Sequence, residues 1–430
     1  MIDIKYIRAN PEEIRAAIKN KNEKADLDAL LETDELRRKL QFDFDNLKAR
    51  QNQVSQTIAQ LKKSGGDASE LLREMGSAAE QIKSVNAQLG EANAHLDKLL
   101  LTIPNIPHAS TPIGSDESCN KEIKVWGAKP DFAFEPVDHL AIAENNKLLD
   151  LPRGAKISGS GFPIYHGLGA RLERALINFM LDKHIREHGY TELAVPVLVN
   201  RATMTGTGQL PKLEADMYRV EEDDLFLIPT AEVPVTNIYA GEVLQHAQLP
   251  LKYVAYTTCF RREAGSYGKD TKGLQRLHQF NKVEMVRFVE PANSYAALEE
   301  MLLDAESILQ DLGLHYRVVQ LCSGDLSFAS AKTYDIEVWA PGSQKYLEVS
   351  SVSNFEDFQA RRANIRYRDA AGKIAFLHTL NGSGLATPRL MIALLETYQT
   401  AEGGLRIPEK LAGYLGQNEP EAKTPVKPND

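Results

Sequence analysis

An α+β protein, with an N-terminal antiparallel coiled-coil hairpin ahead of a domain built on an antiparallel sheet, is what the 430 residues predict. Two patterns carry that expectation. Hydrophobic residues recur every seven positions through most of the first hundred residues, and short β-rich runs alternate with helical segments through the rest. A stretch rich in proline, glycine and serine separates the two regimes.

The hairpin comes first. Residues 27 to 100 contain no proline, and Gly65-Gly66 is the one clear break. Before it Leu40, Leu47, Val54 and Leu61 repeat at heptad spacing, with Phe44 and Ile58 on the neighbouring seam. After it Met75, Ile82, Leu89 and Leu96 do the same, shadowed by Ala78, Val85, Ala92 and Leu99. Two heptad helices joined by a tight SGGD turn make an antiparallel coiled coil. A helix of roughly 35 residues extends about 50 Å, and the polar positions off the seam predict an arm surrounded by solvent. Such an arm serves either as a dimerisation or spacer element or as a probe for a large partner. In the second case Lys48, Arg50, Lys62, Lys63 and Arg73 are the cations placed to meet phosphates.

The stretch TIPNIPHASTPIGSDES cannot continue a helix and reads as a linker. Beyond it TELAVPVLV, DLFLIPTAEVPV, LKYVAYTTCF, KVEMVRFV, YDIEVWA and KYLEVSSVSNF are the expected strands. Several alternate apolar and polar residues, as antiparallel strands do. The expected boundaries are an arm over 1–102, linker and start of core over 103–135, the main domain over 136–415, and a disordered charged, proline-rich tail over 416–430.

Composition narrows the function. With 43% hydrophobic and 25% charged residues the chain can bury a sizeable core. A net charge of −9 excludes nucleic-acid binding through one large basic face, so any RNA contact must use local basic patches. The apolar runs are too short to span a bilayer, and MIDIKYIRANPEEI has no signal-peptide pattern. Cys119, Cys259 and Cys322 are scattered and form neither a disulfide framework nor a CxxC pair. A cytoplasmic protein with no membrane partner is expected. GxxxxGK[ST] and GxGxxG are both absent, so a bound nucleotide would have to be held by strand-borne side chains.

The densest chemistry lies between Thr257 and Val289. A strand ending in Phe-Arg-Arg-Glu leads into a glycine- and charge-rich loop, and a second strand returns near His278–Phe288. The loop holds Arg261, Arg262, Lys269, Lys272 and Arg276. One reading is an exposed basic loop. The other is an anion clamp, with Arg261 and Glu263 alternating on one strand face and Glu284 on the returning strand, because arginine grips carboxylates and phosphates bidentately.

FRREAGSYGKDTKGL followed by HQFNKVE resembles motif 2 of the class II aminoacyl-tRNA synthetases, in the form of the seryl-tRNA synthetase family. GARLERALINFMLDKHIREHGYTELAVPVLV is similar to motif 1, ending in Pro196, and NGSGLATPRLMIALLE to motif 3, with Arg389 on its helix. TAEVP and YLEVSSVSNFEDFQARR fall in the order of that family, and the likeness spans residues 1 to about 415. It implies a class II-like antiparallel sheet flanked by helices, and a ligase that activates serine with ATP and charges tRNA.

The resemblance also implies roles. Arg261 would hold the α-phosphate and the amino-acid carboxylate, with Arg262 beside it in the ATP site. Glu263 would face the adenine amine and Phe280 would stack on the ring; the plain alternative for Phe280 is core packing. Glu348, Val349, Ser350 and Ser351 would continue the ATP site, with Glu348 and Ser351 as ligands of Mg²⁺ bridging the phosphates. A surface carboxylate is the plain alternative for Glu348. Arg389 would meet the γ-phosphate, and Arg261, Glu348 and Arg389 would carry catalysis. Thr230, Ala231 and Glu232 would hold the α-amino group of serine, while Glu284 and Ser383 would bond its hydroxyl. His278 is expected in a structural or phosphate-contact role.

ATP is thus the expected substrate and Mg²⁺ the expected cofactor. Zinc is not expected, since the TAE segment and the scattered cysteines differ from the zinc-dependent archaeal form. The implied partners are tRNA(Ser), tRNA(Sec) where the organism has one, and a second copy of the chain meeting at motif 1, with the 1–102 arm reaching across to the tRNA of the other subunit. Two other readings remain at this point. A noncatalytic paralogue would not need Arg261, Glu263, Glu348 and Arg389 together, and ligases that charge carrier proteins lack the long arm.

Overall fold

The computed structural model describes residues 1–264 and 272–416. These form two units, one from Ile2 to Pro104 and one comprising Met1 with the chain from Asn105 onward. The 417–430 tail lies outside the described residues, as does Lys269 with the rest of 265–271.

In the first unit, helices Leu27–Lys63 and Ser69–Leu100 pack against each other over the expected heptad seam. Leu40, Ile58, Ile82, Leu89, Ala92 and Leu96 are buried along it, and the other seam positions are half-buried. The first helix ends because Gly65 adopts a φ of +75°, which lets the Gly66 N–H reach the Leu61 carbonyl at 2.8 Å. That closes the helix end and reverses the chain. The Asp26 carboxylate starts the same helix by accepting from the Ala29 N–H at 2.9 Å. Two short helices, Ile4–Ala9 and Pro11–Asn20, precede the arm and were not expected from the heptad pattern. Asp34, buried on the long helix, accepts from Arg8 at 2.8 Å and from Arg37 and Arg38 at 3.1 Å, so it pins the first short helix to the arm.

The second unit is built on an eight-stranded sheet. Its order is Lys121–Trp126, Tyr316–Gln320, Lys332–Ala340, Lys345–Asn354, His378–Ala386, Gln279–Val289, Leu251–Phe260 and Thr191–Glu192. All neighbours pair antiparallel except the last two, which are parallel. The helices Leu168–Arg186, Ser294–Asp311 and Thr387–Thr397 cover one face with Leu172, Met180, Met301, Ile308, Leu390 and Leu394, which pack on Val283, Met285, Ile336, Val338 and Leu385. Strand periodicity then sends Phe280, Lys282 and Glu284 to the other face.

Three expectations about local structure need correction. EVPV is not a strand: Glu232–Asn237 is a short helix, with Pro234 in its first turn, where a missing N–H costs nothing. TELAVPVLV forms only Thr191–Glu192 and Leu198–Asn200, because Pro196 cannot donate to a ladder. The strand expected to carry Arg261 and Glu263 stops at Phe260. Arg261 still donates its N–H to His278 at 3.0 Å, but the Arg262 N–H turns to Asp216 and Glu263 takes a φ of +50°.

The proline-rich stretch is held along its length. Asn105 Nδ2 donates to the carbonyls of Ala329 and Phe355, each at 2.9 Å, and the N–H of His108 and hydroxyl of Thr111 both reach the Ala331 carbonyl. No helix among the described residues is long and apolar enough to cross a membrane.

Candidate functional site

On the face of the sheet opposite the three helices lies a cavity of about 630 Å³. Thr230, Glu232, Arg261, Glu263, Phe280, Glu284, Glu348, Val349, Ser351, Ser383 and Arg389 all line it. Three of the candidate residues do not. Ala231 is buried in the small apolar cluster beneath Val235, Ala255 and Val286. The side chain of Arg262 is exposed outside the cavity. Ser350, on the opposite side of its strand from Ser351, donates its hydroxyl to the Ser383 carbonyl at 2.6 Å.

At the deep end Glu284 and Ser383 face each other as cross-strand partners, with Ser383 Oγ 3.4 Å from Glu284 Oε2. Lys282 Nζ lies 2.6 Å from the same carboxylate oxygen. Both Lys282 and Glu284 are buried, so each charge depends on the other for compensation. Beside them Glu232 is held by Gln359 Nε2 at 2.7 Å, and Gln359 in turn accepts from the Thr379 hydroxyl at 2.7 Å. Burial, and then the negative charge of Glu284, push the Glu232 carboxyl up to about 7. Thr230 Oγ1 accepts from the Glu232 N–H at 3.2 Å, which fixes the turn between them. The arrangement suits a small zwitterion: carboxylates for an ammonium, a polar pair for a hydroxyl, and Arg261 for a carboxylate.

Toward the mouth the Arg261 guanidinium lies 5.1 Å from the centre of the Phe280 ring. Glu263 reaches the cavity by its turned backbone and is bound by Arg276 Nη1 at 3.2 Å. Asp216 anchors this loop, its backbone carbonyl accepting from the Arg262 N–H and its carboxylate from the Ala264 N–H. His278 packs against Phe162, with ring centres 5.3 Å apart, and its Nδ1 lies 3.1 Å from the Tyr218 hydroxyl. Its setting is structural.

At the opposite wall Arg389 Nη1 donates to the Glu348 carbonyl at 2.9 Å and its carboxylate at 3.2 Å, and Nε to the Gln275 carbonyl at 3.3 Å. The Ser351 hydroxyl donates to Asp335 Oδ1 at 2.6 Å, one strand over. Burial and then the charge of Glu348 hold the Asp335 carboxyl well above the usual range. Among the described residues there is no cluster of three or more His, Cys, Asp or Glu placed to hold a metal.

Sequence reasoning missed Lys282, Asp335 and Gln359, and Asn381, which also lines the cavity. Lys282 was legible, since it shares the period-two face of Phe280 and Glu284. Asp335 becomes visible only with the strand register that sets it opposite Ser351. Gln359, on the short helix Phe358–Ala363, lies within the YLEVSSVSNFEDFQARR segment, but no local pattern there marks its contact with Glu232.

Residues 1–107 match the seryl-tRNA synthetase N-terminal domain, and residues 215–398 match the tRNA synthetase class II core domain (G, H, P, S and T). The serine--tRNA ligase of Desulfitobacterium hafniense (strain Y51) is 54% identical over 417 residues, covering 97% of this chain and 99% of that protein. That of Geobacter sulfurreducens is 52% identical over 420 residues, with the same coverage. Among solved structures, seryl-tRNA synthetase from Pyrococcus horikoshii complexed with ATP superposes with a TM-score of 0.92 at 36% identity, over 99% of this chain and 100% of that one. Cytoplasmic serine-tRNA ligase from Naegleria fowleri in complex with AMP gives 0.85 at 29%, over 97% and 98%. With relatives more than half identical over nearly its whole length, and its N-terminal and core regions matching the family's domains, the chain belongs to the seryl-tRNA synthetase family.

Proposed function

We propose that this chain activates L-serine with ATP and transfers it to tRNA(Ser), and to tRNA(Sec) where that tRNA exists. The observation that carries the serine assignment is the facing pair Glu284 and Ser383, buried at the end of a cavity whose mouth holds Arg261 over Phe280. A site built to pair a hydroxyl rejects alanine because its own polar groups would be left unsatisfied.

Serine enters with its ammonium between Glu232 and Thr230, its hydroxyl on Glu284 and Ser383, and its carboxylate toward Arg261. The adenine lies on Phe280 with its amine at Glu263, and Arg389 takes the γ-phosphate. The serine carboxylate oxygen attacks the α-phosphorus in line; a new P–O bond forms as the bond to the bridging oxygen breaks and pyrophosphate leaves with the electron pair. The nucleophile is already anionic, so placement and charge neutralisation replace a general base. Glu348 and Ser351 would hold Mg²⁺, which supplies charge neutralisation on the phosphates when bound. Their oxygens suit that ion, and the Ser351 hydroxyl, its proton engaged by Asp335, keeps lone pairs free for a cation.

The helical arm is the element we assign to tRNA, in a cytoplasmic homodimer joined through the motif 1 segment. Serine-dependent exchange of pyrophosphate into ATP is the test. Failure of exchange with serine, or better exchange with alanine or threonine, overturns the reading.

A further inference from the structure

The carboxyl of Glu173 sits where three framing elements meet, although it does not line the cavity. It is buried on the Leu168–Arg186 helix. Its Oε1 accepts from Asn281 Nδ2 at 2.9 Å and from the Thr387 hydroxyl, and Thr387 Oγ1 also lies 3.1 Å from the Asn281 carbonyl. Asn281 stands between Phe280 and Lys282, which face the cavity from the other side of the same strand. Thr387 opens the helix that carries Arg389 two residues later, just past Ala386, the cross-strand partner of Lys282. One side chain therefore ties the strand under the proposed adenine to the helix of the proposed γ-phosphate arginine.

Thr387 has one hydroxyl proton and two acceptors, Glu173 and the Asn281 carbonyl. The single proton can serve only one of them at a time, so Glu173 and the Asn281 carbonyl share Thr387. Burial raises the Glu173 carboxyl above its usual range, against the lowering by Thr387 and Asn281. Glu173 Oε2 and the Tyr165 hydroxyl are both buried without a partner among the described residues.

We propose that Glu173 is a positioning residue for the nucleotide half of the site, fixing Phe280 and Arg389 relative to each other through Asn281 and Thr387. This rests on reading the cavity as an ATP site. Two hydrogen bonds at stake set the scale at about a ten-fold effect. In exchange assays on the full chain, Glu173→Ala is expected to raise the KM for ATP about ten-fold while the KM for serine moves by less than about two-fold. Glu173→Gln should stay near the parent, because its carbonyl oxygen in the Oε1 position accepts from both Asn281 Nδ2 and the Thr387 hydroxyl. Calorimetric titration with AMP should show the same order without turnover. If Glu173→Ala does not fold, Thr387→Val, nearly isosteric, decides in its place by the same ATP-selective loss. An unchanged KM for ATP, equal losses for both substrates, or a Gln variant as impaired as Ala overturns the proposal. A parent protein without serine-dependent exchange instead overturns the reading of the site.

Discussion

Lys282 Nζ lies 2.6 Å from Glu284 Oε2, so the carboxylate proposed to receive the serine hydroxyl is ion-paired with a side chain two residues away on the same strand face. Removing one partner of a buried pair costs about 3–5 kcal/mol, because it leaves the other without compensation. Lys282→Met is therefore expected to leave Glu284 without its compensating cation and to raise the KM for serine by about ten-fold or more. Glu284→Ala should likewise weaken serine far more than ATP. Serine titrations of exchange, set against AMP binding, check both; parallel losses of serine and AMP binding would mean misfolding rather than a lost hydroxyl contact.

Glu232 gives the site a pH dependence. Its carboxyl is pushed up to about 7 by burial and then by Glu284, with Gln359, Lys282 and Arg261 acting in the opposite direction. The raised value means that below about pH 7 the free protein carries Glu232 neutral, and an arriving ammonium must displace that proton. Serine affinity should therefore fall up to about ten-fold per pH unit below 7 and flatten above it. The KM for serine measured from pH 5.5 to 8.5 checks this, and Glu232→Gln should bind weakly with no slope. A slope that survives in the Gln variant would assign the titration elsewhere.

Asp335 is expected to act on Mg²⁺ through Ser351. With its proton donated to Asp335 Oδ1 at 2.6 Å, the Ser351 hydroxyl has a fixed orientation. Asp335→Ala frees that rotor, and second-layer partners of ligands are worth about 10–100-fold in metal affinity. The Mg²⁺ concentration giving half-maximal exchange should rise accordingly, as should the dissociation constant of Mn²⁺ followed by paramagnetic resonance with ATP present. A Mn²⁺ affinity equal to that of the parent would remove Asp335 from this role.

These residues also mark how far the sequence could be read. The heptads placed Leu40, Ile58, Ile82 and Leu89 on a buried seam because a coiled coil is fixed by local spacing. Strand periodicity put Phe280 and Glu284 on one face for the same reason. Glu263 escaped that logic: its strand ends early and a left-handed turn, not alternation, brings it to the cavity. EVPV failed because its β-branched residues suit a strand, yet the segment is a short helix whose Val235 packs with Ala255 and Val286. Asp335, Gln359 and Glu173 depend on register and on packing between distant segments, which local pattern does not encode.

The arm supplies the remaining prediction, and it separates the two half-reactions. The hairpin unit Ile2–Pro104 contributes no residue to the cavity lining. Activation should thus survive its loss, whereas transfer to tRNA needs whatever grips the RNA. Replacing residues 30–98 by a short loop is expected to leave pyrophosphate exchange within about two-fold and to reduce tRNA charging by at least about 100-fold. A gentler version reverses charge at the exposed Lys62, Lys63 and Arg73, leaving the buried seam intact. Each phosphate contact removed lowers the salt dependence of tRNA binding by about one ion, so the triple variant should show a higher KM for tRNA and a shallower salt slope at unchanged exchange. Charging that persisted in the shortened protein, with a salt slope equal to the parent's, would make the coiled coil a spacer and place the RNA contact on the core.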